Sequence, residues 1–412
     1  MYWRELFPAS VIGRRQHILP VVTRGNTILR LFVVQALFQS STSLAVAISG
    51  LVGLLLAPDR SLATLPAATT VVAAAAAMIP ASLLMQRAGR RTGFLLGVSF
   101  GIAAALLATM ALYLGSFWLF VMSTLLAGVY QAFAQYYRFA AADAAAPTQR
   151  ARAISWVVAG GVVAAFLGPA LVRWTEGIGT TPFAAAYLAS SALGVLAGIV
   201  LLGTRFTAVT PVHARPSGRK IRQIMRQDTF RRAVVSSAVG YAVMALVMHA
   251  TPISMFDHGH GLAASATVIQ WHVLGMFVPS FFTGGLITRF GVKPVVLAGI
   301  AANLVHTVIA LSGQEYLQYL SGLTLLGIGW NFMFIGGTTM LTQAYRPEER
   351  ARTQAAHDFL VFVAVSAASF SAGGLLNAFG WQAVNIAAMC LMLVPLAYLL
   401  WPVSARRLRV AD

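Results

Sequence analysis

The sequence predicts an all-α membrane protein, with twelve transmembrane helices arranged as two pseudo-symmetric six-helix bundles. Three observations carry this expectation: a composition too apolar for a soluble globule, twelve apolar stretches of spanning length, and a set of short motifs repeated in the two halves. Of the 412 residues, 58% are hydrophobic and only 10% are charged, where a soluble domain carries about 25% charged residues. Mean hydropathy is +0.76.

A spanning helix needs about 20 apolar residues to cross a hydrocarbon core roughly 30 Å thick. Segments of this kind fall at 28–56, 62–85, 92–114, 117–140, 152–173 and 183–204. A second set falls at 232–255, 264–287, 294–313, 316–340, 353–376 and 381–401. Residues 205–231, rich in Arg and Pro, separate six spans from six. The expected organisation is therefore an N-terminal arm (1–27), a first bundle (28–204), a linker (205–231), a second bundle (232–401) and a short tail (402–412). The arm is basic and patchily apolar and lacks the core of a secretory signal, so it is expected to lie along the membrane surface.

The formal net charge of +18 raises the question of nucleic acid. Its distribution answers differently. Of the 29 Lys and Arg residues, only Arg60 and Arg173 fall on one side of the predicted topology, which leaves 27 for the other. That is the positive-inside pattern, and it places both termini in the cytoplasm. No nucleic-acid partner is expected. Cys390 is the one cysteine, so no intramolecular disulfide and no paired-thiol ligand can form. No phosphate-binding Gly-rich loop, nucleophilic triad or Cys–His zinc spacing is present, which gives no case for an enzyme.

The halves repeat each other. "PTQRARAIS" (147–155) and "PEERARTQA" (347–355) share Pro, Arg, Ala and Arg at an offset of 200 residues, and "LLAGVYQAF" (125–133) aligns at the same offset with "LLGIGWNFM" (325–333). "QRAGRR" (86–91) corresponds to "TRFGVK" (288–293). Internal duplication of this kind is a mark of transporter folds.

On these motifs the chain resembles the major facilitator superfamily over nearly its whole length. In that family the loop after the second helix usually reads G-x-x-x-D-R-x-G-R-R/K. Here "SLLMQRAGRR" keeps Arg87, Gly89, Arg90 and Arg91, with Gln86 and Ser82 in place of the Asp and Gly. The resemblance implies two bundles rocking about a central cavity, with Arg87 and Arg90 at a gate.

Polar residues inside the spans supply the candidate site. Met244 and Met248, four apart, share a face of the seventh helix; His272 and Met276 share a face of the eighth. Folding the chain at residue 260 sets 248 opposite 272 and 244 opposite 276, two rungs about 6 Å apart. Three thioethers and an imidazole suit soft Cu(I). Met255, Asp257, His258 and His260 at the turn are candidates for metal entry. Methionines that merely fill packing gaps are the competing reading, and the residues alone leave both open.

The stretch from "MALVM" through "TPISMFDHGHG" to "VIQWHVLGMFVPSFFTG" further resembles the CcoA-like copper importers of that superfamily, as does "GWNFMFIGGTTMLTQAYRPEERAR" (329–352). That resemblance implies copper as transported substrate, held at Met244, Met248, His272 and Met276. It also implies import across a bacterial inner membrane for assembly of cbb3-type cytochrome c oxidase, with a cytoplasmic copper chaperone or exporter as partner. Some such importers carry extra cysteines, which Cys390 alone does not supply. A monomer with no organic cofactor is expected.

Asp358, beside His357, is the carboxylate placed inside a span. It is a candidate proton-coupling site or the partner of Arg350 or Arg352 at the cytoplasmic gate. Gln35, Gln39, Tyr130, Trp330 and Asn331 are candidates to line the cavity, and His306 reads as a packing histidine. The alternative to copper is a proton-coupled carrier of small organic solutes, with the methionines as apolar wall. A non-transporting assembly factor is the third reading.

Overall fold

The computed structural model describes residues 21–59, 62, 65–204, 206 and 218–401. Residues 1–20 of the expected surface arm (1–27), Arg60, most of the linker and the tail at 402–412 lie outside the described residues, while residues 21–27 of that arm belong instead to the first helix. The rest is helical. The first half comprises α1 (Val21–Leu56), α2 (Leu65–Ala88), α3 (Arg90–Leu114), α4 (Phe117–Ala134), α5 (Tyr137–Ala144), α6 (Arg150–Ala159), α7 (Gly161–Thr175) and α8 (Ala184–Leu202). A short α9 (Ile221–Met225) precedes the second half: α10 (Asp228–Asp257), α11 (Leu262–Phe277), α12 (Ser280–Phe290), α13 (Val292–Ser312), α14 (Tyr316–Leu341) and α15 (Arg350–Leu400).

Among the described residues, eleven helical segments are long and apolar enough to cross a membrane. The last of them contains two spans. A straight helix of 51 residues would run roughly 75 Å at 1.5 Å per residue, more than twice the hydrocarbon thickness. It is broken at Gly380, whose φ of 77° and ψ of −179° fit a residue without a Cβ. The two parts on either side of this break make the spans twelve, as the apolar stretches predict.

Other spans bend where the chain gives them reason. The fourth breaks between α4 and α5 at Gln135–Tyr136, and the fifth between α6 and α7 at Gly160. The eighth breaks between α11 and α12 at Val278–Pro279, where proline lacks the N–H that a continuous helix needs. Asn331 of α14 repairs that gap. Its Nδ2 donates to the Met276 carbonyl at 2.6 Å and to the Ser280 hydroxyl at 2.5 Å, and its Oδ1 accepts from Thr283 at 2.7 Å.

Burial is inverted relative to a soluble protein. Leu54, Leu55, Met122, Ile199, Phe281 and Phe370 face outward, where lipid replaces water as the solvent. Small residues such as Ala74, Ala164, Ala197 and Ala233 are buried where helices meet, since close approach of backbones drives association when lipid is as apolar as leucine. Within the second half α10 packs on α14 and α15, and α11 packs on α14; α10 and α11, though consecutive, touch only sparingly. Across the halves α2 meets α15, α6 meets α12 and α7 meets α11.

Candidate functional site

A cavity opens between the two halves, lined from both. From the first come Gln35 and Gln39 on α1, Gln135 at the end of α4, Arg138 on α5 and Val158 on α6. From the second come Tyr241 on α10, Met276 and Phe277 on α11, and Trp330 and Phe334 on α14. In this conformation it encloses about 50 Å³, well below the roughly 300–1,000 Å³ typical of small-molecule sites, so a solute fits only once the halves move apart.

Helical spacing builds its walls. Gln35 and Gln39 are one turn apart, so both amides fall on one face of α1. Trp330 and Phe334 are likewise one turn apart, and their rings stack with centroids 4.8 Å apart and planes 13° from parallel. Tyr241 stands edge-on to Trp330 at 5.3 Å and to Phe334 at 5.6 Å. Phe277 closes the other side of Trp330 at 5.8 Å. One wall is thus an aromatic box and the facing wall carries neutral amides.

Arg138 forms one end of the cavity. Its guanidinium lies 4.6 Å above the rings of both Phe139 and Phe334. One terminal nitrogen donates to the Gln135 carbonyl at 2.7 Å and the Gln135 side-chain oxygen at 2.6 Å. The other reaches across the halves to Asp358 Oδ1 at 2.7 Å. Asp358 and His357 are fully buried, and His357 Nδ1 lies 2.8 Å from the same carboxylate oxygen. Asp358 therefore faces Arg138 and His357, not the expected Arg350 or Arg352. Arg350 instead joins Arg90 on Asp143, at 3.1 and 2.7 Å. Arg90 also donates to Gln354 at 3.2 Å, and Ser82 donates to the Ala351 carbonyl at 2.9 Å. These cross-half contacts gather at the arginine-rich end of the molecule.

The remaining candidates are placed variously. Met276 borders the cavity. Met244 is buried and Met248 half-buried. His272 is fully buried but turns to α14, where its Nδ1 lies 2.8 Å from the Leu323 carbonyl. At the turn, Met255 is buried and Asp257 exposed. His258 Nδ1 lies 2.6 Å from the Ser254 carbonyl, capping its own helix, and His260 Nε2 lies 2.8 Å from the Gln314 carbonyl. Among the described residues no group of three or more His, Cys, Asp or Glu side chains is arranged to hold a metal ion. Tyr130 is buried against Phe38, Asn331 is occupied by the α11–α12 break, Arg87 is exposed and Arg352 half-buried.

Arg138 is the residue that sequence reasoning passed over. Its signal was available: an arginine within the predicted fourth span, which costs free energy in a membrane and marks function by default. Tyr241, Phe277, Phe334 and Gln135 carried no signal, because aromatic and amide residues at helical spacing are ordinary in any bundle.

Two helical bundles around a central cavity, with polar contacts joining them at one end, define a membrane carrier. The profile of the Major Facilitator Superfamily matches residues 31–278 and, in a second match, 233–411, and the chain belongs to that family. Its fold and family are those of transporters and not of enzymes. The riboflavin transporter RfnT of Brucella anthropi is 42% identical over 388 residues, covering 93% of this chain and 97% of that one. The MFS-type transporter YddS of Bacillus subtilis is 28% identical over 85% of each chain. Among solved structures, the human organic anion transporter TETRAN superposes with a TM-score of 0.76 over 91% of this chain and 99% of its own, at 14% identity. FucP in its outward conformation gives 0.75 over 91% and 99%, at 13% identity; these two speak to the fold.

The comparisons correct the copper reading. The relative that is 42% identical along nearly the whole chain is a riboflavin transporter, so the copper-importer identity and its role in cytochrome oxidase assembly are without support. The physical reason is visible in the packing. The mirrored methionine and histidine positions belong to helices that each pack on other neighbours, so mirror symmetry in sequence about a turn does not make two helices face each other.

Proposed function

We propose that the protein carries riboflavin, or a closely similar flat heteroaromatic solute bearing a polar chain, across the bacterial inner membrane by alternating access. The observation that carries this reading is the stacked Trp330–Phe334 wall opposite Gln35, Gln39 and Gln135. A fused ring system presents two apolar faces and a rim of donors and acceptors. The aromatic box supplies stacking area, and glutamine amides, which both donate and accept, suit a rim and a polyol chain. The likeness to the Brucella anthropi riboflavin transporter supports the same class of solute.

The surplus of arginine at one end fits a cytoplasmic orientation for that end. The contacts of Arg90, Asp143, Arg350, Arg138 and Asp358 then close the cavity toward the cytoplasm. Transport requires these contacts to part as the halves rock.

Uptake of radiolabelled riboflavin into proteoliposomes holding the purified protein tests the reading. Saturable uptake, competed by unlabelled riboflavin and lost in Trp330→Ala, is expected. Uptake no faster than in protein-free liposomes, at any orientation or ion gradient, refutes it.

A further inference from the structure

The cavity has one charged side chain among its lining residues, Arg138, and that charge is already engaged. The guanidinium is clamped between two phenyl rings and bonded to Gln135 and Asp358. We infer that Asp358 is a built-in counter-anion that reserves the cavity for uncharged ring-bearing solutes and turns away their anionic forms, phosphate monoesters above all. The inference deepens the flavin reading and rests on it.

An anion entering the cavity has two options. It can draw Arg138 away from Asp358, which leaves a carboxylate with no exposed surface holding only the His357 contact on Oδ1 and no hydrogen-bond partner on Oδ2. A buried charge left unpaired is among the costliest defects a protein can carry. Otherwise the anion lies beside a neutralised pair and gains nothing for its lost hydration. A neutral solute faces neither cost. Specificity of this kind comes from penalising the wrong ligand as much as from attracting the right one.

No neighbouring cation is free to pair with the anion. His357 already spends Nδ1 on Asp358. Tyr136 donates its hydroxyl to the Met78 carbonyl at 2.9 Å, and Tyr241 is packed edge-on into the aromatic wall. Arg90 and Arg350, toward the arginine-rich end, share Asp143. Replacing the carboxylate by a neutral isostere therefore frees one cation, facing the cavity, for an anionic ligand.

The test measures binding of riboflavin and of its phosphate monoester to the purified full-length protein, read by quenching of flavin fluorescence. The wild type is expected to prefer riboflavin. Asp358→Asn is expected to raise the relative affinity for the ester by roughly ten- to a hundredfold, the range of a charge-assisted hydrogen bond. Adding Arg138→Gln to that variant is expected to restore the wild-type order. A pair that only clamped the halves together would weaken both flavins alike and leave their ratio unmoved. Because a ratio within one preparation is independent of the active fraction, partial unfolding does not disturb it, and Asp358→Ser serves where the amide does not fold. Equal affinities in the wild type, or an unchanged ratio in the neutral variants, overturn the inference while leaving the flavin reading intact. Failure of the wild type to bind either flavin overturns both.

Discussion

Ser155 of α6 and Gly284 of α12 interlock across the two halves. The Ser155 hydroxyl accepts a hydrogen bond from the Gly284 N–H at 2.9 Å and donates to the Ser280 carbonyl one turn away. Gly284 has no room for a side chain: a Cβ there would lie 2.6 Å from Arg152 Cα and 2.7 Å from the Ala151 carbonyl oxygen. Backbone cannot swing aside as a side-chain tip can. Gly284→Ala should therefore wedge α12 from α6, at about 1–3 kcal/mol for an overpacked contact, and favour the form open at the arginine-rich end. A maleimide-reactive reporter, Met85→Cys in a Cys390→Ala background, should label faster in the Gly284→Ala protein. Gly285→Ala, with nothing within 4 Å of its added Cβ, should leave labelling unchanged. Equal labelling in the two alanine variants would show that this contact does not hold the halves together.

Trp330 should be the largest single contributor to solute affinity. It is stacked on Phe334 and flanked by Tyr241 and Phe277, so its ring plane is fixed before any ligand arrives. Stacking of a heteroaromatic base on such a platform is worth about 1–3 kcal/mol. Trp330→Ala should weaken riboflavin binding by roughly ten- to a hundredfold, and Trp330→Phe by only a few-fold. Tyr130→Phe, buried away from the cavity against Phe38, should not alter it. Titration by flavin fluorescence checks the order, and a Tyr130 effect as large as that of Trp330 would place the solute elsewhere.

Much of the architecture was legible because membrane helices announce themselves by length and apolarity. Even the break at Gly380 left a trace, since two apolar stretches met around it. The site was less legible. Gln35 and Gln39 were singled out by helical spacing and Trp330 by its place in the internal repeat, whereas Arg138 was read as one more topological charge at a span end. Its partner depends on how the halves meet, which no local pattern encodes. His272 is a different case, its buried Nε2 having no hydrogen-bond partner. A buried histidine four residues from a methionine looks like a ligand pair in sequence, yet its Nδ1 meets the Leu323 carbonyl of a helix half a bundle later in the chain.

The methionines of α10 should be replaceable. Met244 is buried and Met248 half-buried, and neither borders the cavity, so their volume matters more than their sulfur. Met244→Leu together with Met248→Leu conserves that volume, for which the expected cost is under about 1.5 kcal/mol. Riboflavin uptake should stay within about twofold of the wild type, since a change of that size in the core need not reach the aromatic wall. Cells producing either protein should accumulate no more copper than cells with an empty vector, measured by elemental analysis. Copper accumulation that depends on the two sulfurs would reinstate a metal site.

Glu349 and Arg219 make the connection between the inter-bundle linker and the loop before α15 a structural joint. Glu349, with no exposed surface, accepts from Arg219 N at 2.7 Å, Nε at 2.9 Å and a terminal nitrogen at 2.6 Å, and from Arg346 N at 3.0 Å. These hydrogen bonds in turn hold the Arg219 guanidinium above its ordinary pKa. The partners are unequally placed, because Arg219 keeps 32% of its side-chain surface and retains much of its hydration. The loss from Arg219→Ala should therefore be about 1–3 kcal/mol, below the figure for a wholly buried pair. Glu349→Gln should cost a similar amount, since it keeps the shape and one acceptor but strips the charge from three arginine contacts. The double variant should be little worse than either single one, with a coupling of about 1–2 kcal/mol. Thermal unfolding of the purified protein in detergent reads all three. Strict additivity would mean that the two side chains stabilise the molecule separately, and that the joint is held by the backbone contacts to Glu349 alone.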